Sequence, residues 1–245
     1  MIWFTSDTHY SHKNICKATS SWTGGYRDFN SLADMNDTLV DSINRNVQPQ
    51  DTLYHLGDWS FGGYDRVKEF RDRINCRNII LVLGNHDYHI LCDKKNELRK
   101  LFTKVYHGLW VGSIEKQLMS LCHYKMSVWD QSHHGAWCLF GHSHSSIPEN
   151  MYEFSLEVGM DCVYSLYRDR EEDVFIKSDS CGRVPKYFYG NNPENPTLLF
   201  YAQDFADKNN HILHKPFTPF SMDEIAGLMK FKKWTRKDHH NEETN

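Results

Sequence analysis

The sequence predicts an α/β protein whose strands form either one mixed sheet or a pair of sheets. Short apolar runs alternate with helical patterns up to about residue 102, and strand-like pieces then follow one another from about 104 to 141. The run "NIILVL" (78–83) is continuously apolar from Ile79 and ends at a glycine, as expected for a strand covered on both faces. Strand–helix alternation followed by strand-rich sequence is typical of this fold class.

The first half of the chain begins with a short apolar strand, Ile2 to Ser6. Apolar residues at a three–four spacing then predict a helix over about 31–47. Ser31 and Asp34 resemble a capping box for this helix, with Asp in place of the usual Glu. The further elements predicted here are a strand at 51–58 and helices near 64–74 and 93–102.

The second half of the chain contains strand-like pieces, an unusual polar stretch and a last helix. The strands are predicted around 104–111, 114–122 and 137–141. The polar, aromatic and turn-rich stretch at 162–216 has one strand candidate, Thr197–Ala202, and we interpret it as an insertion or subdomain. A helix with a Ser221/Glu224 capping box closes the fold, and the charged tail at 233–245 is predicted to fray, so we expect one domain over 1–245.

Composition excludes several classes of protein. The net charge of -4 lacks the basic footprint of a general nucleic-acid binder, although it permits a nuclease that touches a few phosphates. The seven cysteines show no CxxC spacing, which argues against a disulfide framework and a zinc knuckle. No leader-like segment and no run of membrane-spanning length is present, so we expect a cytoplasmic protein without a membrane partner.

Polar residues of a restricted kind follow five separate strand-like runs. Each run ends in Asp, Asn or His, in three cases directly after Gly. These residues are Asp7 and His9, then Asp58 after Gly57, then Asn85, His86 and Asp87 after Gly84, then His123, and finally His142 and His144.

This arrangement is what a dinuclear metal site requires. In an extended segment residues i and i+2 point the same way, so Asp7/His9 and His142/His144 would each aim two ligands at one point. A glycine before a ligand lets the backbone come close to the metals. Carboxylate, amide and imidazole ligands without thiolate suit Mn, Fe, Zn, Co or Ni better than a structural zinc.

Each motif alone has an ordinary structural explanation. Asp-x-His after a strand is usually turn or cap chemistry, and "GNHD" alone indicates a turn. A Gly-Asp pair carries almost no information by itself. Five such motifs in order, each at the end of a predicted strand, favour the metal site over coincidence.

At these residues the sequence resembles the calcineurin-like metallophosphoesterase superfamily. That family shows D-x-H, G-D, G-N-H-D/E, a lone H and G-H-x-H, all in this order here over roughly residues 1–161. The stretches "SDTHYSHKNI" and "YHLGDWSFGG" look closer to a compact bacterial and phage-encoded branch. The branch's closing segments correspond to "VGMD" (158–161) and "PFSMDEI" (219–225), which about 55 residues separate here.

The resemblance implies a role for each motif residue. Asp58 would bridge two metals, His86 would contact the phosphate and assist the leaving oxygen, and Asp87 would orient the imidazole of His86. The first metal would be held by Asp7, His9 and His144, and the second by Asn85, His123 and His142.

The resemblance also implies the fold and the reaction. The fold would be a four-layer αββα sandwich of two mixed sheets flanked by helices. A hydroxide bound to two divalent ions would hydrolyse a phosphomonoester or phosphodiester, with a nucleotide or nucleic-acid end modestly preferred. Manganese is expected first, with Fe, Zn, Ni, Co or Mg as alternatives. A homodimer and a catalytically weak binding or regulatory protein on the same fold stay open.

Two further residues receive a prediction. Arg27 in "GGYRDF" is predicted to bind a phosphate group of the substrate, and the alternative is a surface ion pair with Asp28. His12 would either support a metal ligand or cap the following segment.

Overall fold

The computed structural model describes residues 1–21, 27–147, 150, 152–162, 164–169, 172–177, 213–214, 217–230 and 232–235. The described residues include the helices α1 (Leu32–Asn46), α2 (Tyr64–Arg73), α3 (Tyr88–Leu91) and α4 (Met222–Met229). They also include the strands β1 (Ile2–Thr5), β2 (Thr52–His55), β3 (Asn78–Val82), β4 (Lys104–Tyr106), β5 (Leu109–Ile114), β6 (Gln117–Cys122), β7 (Trp137–Phe140), β8 (Ser155–Glu157), β9 (Tyr164–Asp169), β10 (Glu172–Lys177), β11 (Leu213–His214) and β12 (Phe220–Ser221).

Two mixed sheets form the centre of the fold. The first has the order β12-β1-β2-β3-β4, in which β1 to β4 are parallel and β12 is antiparallel to β1. The second has the order β5-β6-β7-β8, in which β5 is antiparallel to β6 and the other pairs are parallel. Because neighbouring parallel strands end at the same edge, the loops after β1, β2 and β3 lie side by side.

Side chains alternate between the two faces of the first sheet. Trp3 packs into an apolar cluster with α1 and α2, whereas its neighbour Phe4 packs between the two sheets with Leu121 and Leu139. A third cluster, which includes Trp129 and the partly buried Trp234, covers the other face of β6 and β7. The two mixed sheets with flanking helices confirm the predicted fold class.

The predicted helix caps are present in different degrees. Ser31 Oγ accepts the Asp34 N–H at 3.0 Å, but the Asp34 carboxylate accepts the N–H of Asn30 in place of that of Ser31. The box at α1 is therefore half formed. At α4 the box is complete, because Ser221 and Glu224 each accept the other's backbone N–H.

The predicted helix over 93–102 is wrong. The chain instead forms the short α3 (Tyr88–Leu91) and a 3₁₀ turn, Arg99–Leu101. The Asp93 carboxylate accepts the N–H of Leu98 at 2.6 Å, and Asn96 adopts a left-handed φ of 55°. Both features compete with a continuous helix.

Strands within the stretch at 162–216 form a separate sheet, which the sequence prediction missed. In this sheet β10 and β11 each pair antiparallel with β9. The strand candidate Thr197–Ala202 lies outside the described residues. The assignment of the stretch as an insertion or subdomain stays a prediction.

The start of the charged tail is packed, so the predicted fraying does not apply to it. Trp234 lies 5.3 Å from Trp129 between ring centroids, and the Thr235 N–H donates to the Tyr152 carbonyl at 3.1 Å. The rest of the tail lies outside the described residues.

The described residues also bear on the predictions from composition. The cysteines among them are free thiols: Cys16, Cys76, Cys92, Cys122, Cys138 and Cys162. Among the described helices, none has both the length and the apolar character needed to span a bilayer.

Candidate metal centre

The predicted ligands lie in tight turns after the strands. Five of them have left-handed φ angles between 45° and 70°: Asp7, His9, Asp58, His142 and His144. The prediction that strand alternation aims Asp7/His9, and likewise His142/His144, at one point is therefore wrong. Left-handed conformations of non-glycine residues are uncommon and cluster at functional sites. Here the bond from the Asp7 N–H to the Gly57 carbonyl (3.0 Å) and the bond from the His9 N–H to the Asp58 carbonyl (2.9 Å) hold the turn.

The first group of ligand atoms combines Asp7, His9 and His144, whose ligand atoms lie within 4.8 Å of one another. His9 Nε2 is 3.2 Å from His144 Nε2, and His144 Nε2 is 3.9 Å from Asp7 Oδ1. Asp7 and His9 are buried, and His144 is half-buried. The structure thus brings together the three residues predicted for the first metal.

The second group combines Asp58, His123 and His142, also within 4.8 Å. Asn85 completes it, because its Oδ1 is 3.0 Å from His123 Nε2 and 3.1 Å from His142 Nδ1. His123 is buried, whereas Asn85 and His142 are exposed. The second group therefore opens to solvent.

Asp58 connects the two groups. Its Oδ2 lies 3.3 Å from His9 Nε2 in the first group and 3.3 Å from His123 Nε2 in the second. One carboxylate oxygen is thus shared, which is the position that a bridging ligand would take between two cations.

Glycines allow the two loops that carry Asp58 and Asn85 to approach each other. A Cβ on Gly57, whose φ is 101°, would lie 2.5 Å from Gly84 N and 2.7 Å from His123 Nδ1. A Cβ on Gly84 would lie 2.6 Å from Asp58 N and would collide with Asp58 Oδ1. Only glycine fits at either position without displacement of the backbone.

The donor set fits a divalent cation. His144 Nδ1 lies 2.6 Å from Asp161 Oδ2, and an ionised carboxylate only accepts hydrogen bonds. A neutral His144 therefore carries its proton on Nδ1 and aims the Nε2 lone pair at His9 and Asp7. A metal ion is typically bound where imidazole and carboxylate lone pairs converge on one point. A metal-ligating histidine commonly donates its other ring N–H to a carboxylate, as His144 would to Asp161.

Electrostatics also favours a bound cation. Burial raises the pKa of Asp7 to about 6 and lowers the pKa of His9 well below its usual value. Burial opposes the charged form of His123 too, but its bond to Asp58 and the charge of Asp7 outweigh burial and raise its pKa to about 9. Buried carboxylates need a compensating charge, and a divalent cation supplies it while the imidazoles stay neutral.

His86 lies beside His9 and is partly exposed to solvent. It is half-buried, its backbone N–H donates to Asp58 Oδ1 at 2.8 Å, and its ring centroid is 5.2 Å from that of His9. This position is compatible with the predicted contact to a phosphate. His86 also forms a third potential ligand group with His9 and Asp58, so the geometry permits a metal-binding role as well.

Asp87 does not have the predicted role of orienting His86. Its carboxylate accepts the backbone N–H groups of Gly84 (2.8 Å), Asp58 (2.8 Å) and Trp59 (2.9 Å). Asp87 is buried, and it joins the loop after β2 to the loop after β3. This carboxylate therefore holds the backbone of Asp58 in place. Sequence reasoning missed this because Asp87 adjoins His86 in the chain, whereas the N–H groups of Asp58 and Trp59 that its carboxylate accepts are 29 and 28 residues away.

Arg27 does not have the predicted phosphate-binding role either. Its side chain is fully buried, and its Nε and Nη2 each donate to the Asp161 carboxylate at 2.8 Å. Nη1 donates to the carbonyl of Thr8 at 2.8 Å, and Nη2 also donates to that of Asp7 at 2.5 Å. The alternative is wrong too, because Asp28 pairs with Lys17 in the described structure.

Asp161 is the site residue that sequence reasoning missed. It is fully buried between Arg27 and His144. Burial opposes its ionised form, but the charge of Arg27 and the bond from His144 outweigh burial and lower its pKa to about 2. The available signal was the acidic residue at the end of "VGMD", directly after a buried apolar segment.

Aromatic rings border the centre on two sides. The buried His12 has its ring centroid 5.2 Å from that of His9 and stacks on Phe61 with 4.0 Å between ring centroids. His12 thus lies beside a predicted ligand, and its role stays a prediction. On the side of the second group, the Tyr124 hydroxyl donates to Asn85 Oδ1 at 3.3 Å.

Comparison with known proteins identifies the family. The calcineurin-like phosphoesterase family matches residues 1–224, so this chain belongs to that family. The resemblance predicted from the motifs is confirmed. Membership of a metallophosphoesterase family implies divalent metal ions, in agreement with the two ligand groups.

Individual relatives are distant. An uncharacterized protein of Methanocaldococcus jannaschii is 34% identical over 88 residues, which are 35% of this chain and 46% of that protein. The match thus spans about half the length of this curated relative.

Three solved structures match part of this chain. A protein of unknown function from Aquifex aeolicus has a TM-score of 0.45 at 21% identity, with 65% of this chain and 90% of that chain covered. A novel archaeal phosphodiesterase has a TM-score of 0.40 at 21% identity, with 72% and 98% covered. The phosphoesterase Yfce from E. coli has a TM-score of 0.34 at 18% identity, with 65% and 78% covered. The phosphodiesterase and phosphoesterase activities are those of the archaeal protein and of Yfce.

Proposed function

We propose that the protein is a dinuclear-metal-dependent phosphoesterase that hydrolyses a phosphomonoester or phosphodiester. A nucleotide or a nucleic-acid end is the preferred substrate class, and manganese is the first candidate for both metal positions. The observation that carries the proposal is Asp58 Oδ2, which lies 3.3 Å from His9 Nε2 and 3.3 Å from His123 Nε2 and so joins two ligand groups.

The side chains around the centre suit phosphate-ester hydrolysis. Two bound divalent cations would supply Lewis acidity, which lowers the pKa of water and neutralises charge on a phosphoryl group. The chain contributes the geometry: Asp87 and the glycines Gly57 and Gly84 hold Asp58 in place. His86 is half-buried beside His9. We assign to it the contact with a phosphate oxygen and the proton for the leaving oxygen.

The alternative, a binding or regulatory protein without catalysis, would be favoured by a missing ligand or by loss of the Asn85–His86 pair. Each of the seven predicted ligand positions carries a metal-binding side chain, and the Asn85–His86 pair is present. These residues favour the enzyme.

The bridging role is tested with Asp58→Asn. The wild type, after incubation with Mn²⁺ and removal of free metal, should contain two metal ions per chain by elemental analysis. It should also cleave bis-p-nitrophenyl phosphate or p-nitrophenyl phosphate, and the ratio of the two rates identifies the ester class. Asp58→Asn should lose metal and at least about a hundredfold in kcat, the loss typical when a preorganised electrostatic group is removed.

Asp72→Asn is the matched control, because Asp72 is exposed on α2 and should leave metal content and turnover unchanged. An Asp58→Asn variant that keeps two metal ions and full turnover would exclude the bridging role. A wild type that binds two ions but cleaves neither ester would favour the binding protein.

A further inference from the structure

Phe61 is an exposed aromatic residue with a fixed position. Phe61 is 40% exposed. Its backbone is nevertheless anchored, because its N–H donates to the carbonyl of Tyr10 at 2.8 Å. Tyr10 is fully buried, and it pairs with Ser60, the residue before Phe61. The loop after β2 is therefore anchored to the loop after β1 at this point.

One face of the Phe61 ring is already covered. The His12 ring lies nearly parallel to it, with 4.0 Å between centroids and 15° between planes, and His12 is only 5% exposed. A buried imidazole thus fixes the orientation of a phenyl ring that remains partly in solvent. Single exposed apolar residues are ordinary, but an oriented ring has already lost the side-chain entropy that a ligand would otherwise have to remove.

The Phe61 ring lies next to His86, the residue proposed to assist the leaving group. The His86 ring centroid is 5.2 Å from that of His9 and 5.5 Å from that of Phe61, so His86 connects the ligand groups to Phe61. If His86 gives the proton to the leaving oxygen, the leaving group departs on the side of Phe61.

Building on the proposed function, we propose that Phe61 is the platform on which the base of a nucleoside leaving group stacks. A phenyl ring backed by an imidazole offers one flat apolar face, which matches the face of a base. Phe61 carries no hydrogen-bonding group, so this contact accepts purines and pyrimidines alike. Stacking on an aromatic side chain strengthens base binding by about 5- to 150-fold.

The test uses Phe61→Leu and Phe61→Trp, with Tyr152→Leu as the control at another exposed aromatic residue. The first readout is adenosine binding, measured by titration calorimetry with the Mn²⁺-loaded and the metal-free protein. Phe61→Leu should weaken adenosine binding at least about fivefold, while Phe61→Trp retains it and Tyr152→Leu leaves it unchanged. Unchanged binding in Phe61→Leu, or no adenosine binding by the wild type, would overturn the platform.

The second readout is turnover of nucleoside esters against glycerol esters, as monoesters or diesters according to the class that the wild type cleaves. Phe61→Leu should raise KM for adenosine and uridine esters at least about fivefold and change their kcat less than about threefold. The KM and kcat for the glycerol ester should also change less than about threefold. An equal loss on both kinds of ester would contradict stacking. A wild type that cleaves none of these esters would refute the proposed function, and Phe61-dependent adenosine binding would then still support the platform.

Discussion

Replacement of Asp161 by Asn removes the negative charge from the most deeply buried ion pair near the centre. Arg27 and Asp161 are both fully buried, and two parallel bonds of 2.8 Å join them. The variant keeps the size of the side chain but leaves the guanidinium charge of Arg27 without its counter-charge. It also replaces the acceptor that His144 Nδ1 contacts at 2.6 Å.

The expected loss has two components. Removal of one partner from a buried ion pair destabilises a protein by about 3–5 kcal/mol, because the remaining charge stays buried without compensation. Loss of the carboxylate behind a ligating histidine weakens metal binding by about 10- to 100-fold. We therefore expect a lower free energy of unfolding without metal and, separately, a weaker affinity for Mn²⁺.

Urea unfolding in the presence of a chelator measures the first component, and titration with Mn²⁺ measures the second. Asp28→Asn is the control, since Asp28 forms an exposed pair with Lys17 and its loss should change the free energy of unfolding by less than about 1 kcal/mol. The double variant with Arg27→Gln should be more stable than the sum of the single losses predicts. Additive losses, or a loss below about 1 kcal/mol in Asp161→Asn, would refute this account of the pair.

Two further predictions concern the loop after β3. Gly84→Ala should lower the melting temperature and the Mn²⁺ affinity together, because the new methyl group would lie 2.6 Å from Asp58 N. In the control Gly108→Ala the methyl group meets no atom within 4 Å, so the Mn²⁺ affinity should stay unchanged. An unchanged affinity in Gly84→Ala would show that the loops can separate without harm. His86→Ala should keep two metal ions per chain and lose about 10²- to 10⁴-fold in kcat, as for removal of a general acid. Loss of one ion in elemental analysis would instead identify His86 as a ligand through the third group with His9 and Asp58.

The positions of the ligands could be predicted from sequence because they follow from strand order. Once β1, β2 and β3 are recognised as buried strands, their carboxyl ends must share an edge, and Asp7, Asp58 and Asn85 lie there. The local conformation could not be predicted in the same way. Strand alternation suggested extended ligands, whereas the carbonyls of Gly57 and Asp58 hold left-handed turns that only the tertiary structure reveals.

Contacts between loops distant in sequence account for the remaining errors. Asp87 adjoins His86 in the chain, yet its partners are the N–H groups of loops that meet only after the sheet forms. Arg27 lies beside Asp28, but its partner Asp161 is 134 residues away. A sequence shows which charges exist near a motif, and it does not show which of them become buried together.

The central claim is that two cations share the Asp58 carboxylate, and electron paramagnetic resonance of the Mn²⁺-loaded protein tests it most directly. Two Mn²⁺ ions joined by one carboxylate should give the broad spectrum of an exchange-coupled pair at two ions per chain, and Asp58→Asn should abolish the coupling. A spectrum of isolated Mn²⁺ in the wild type, or binding of one ion per chain, would contradict the claim.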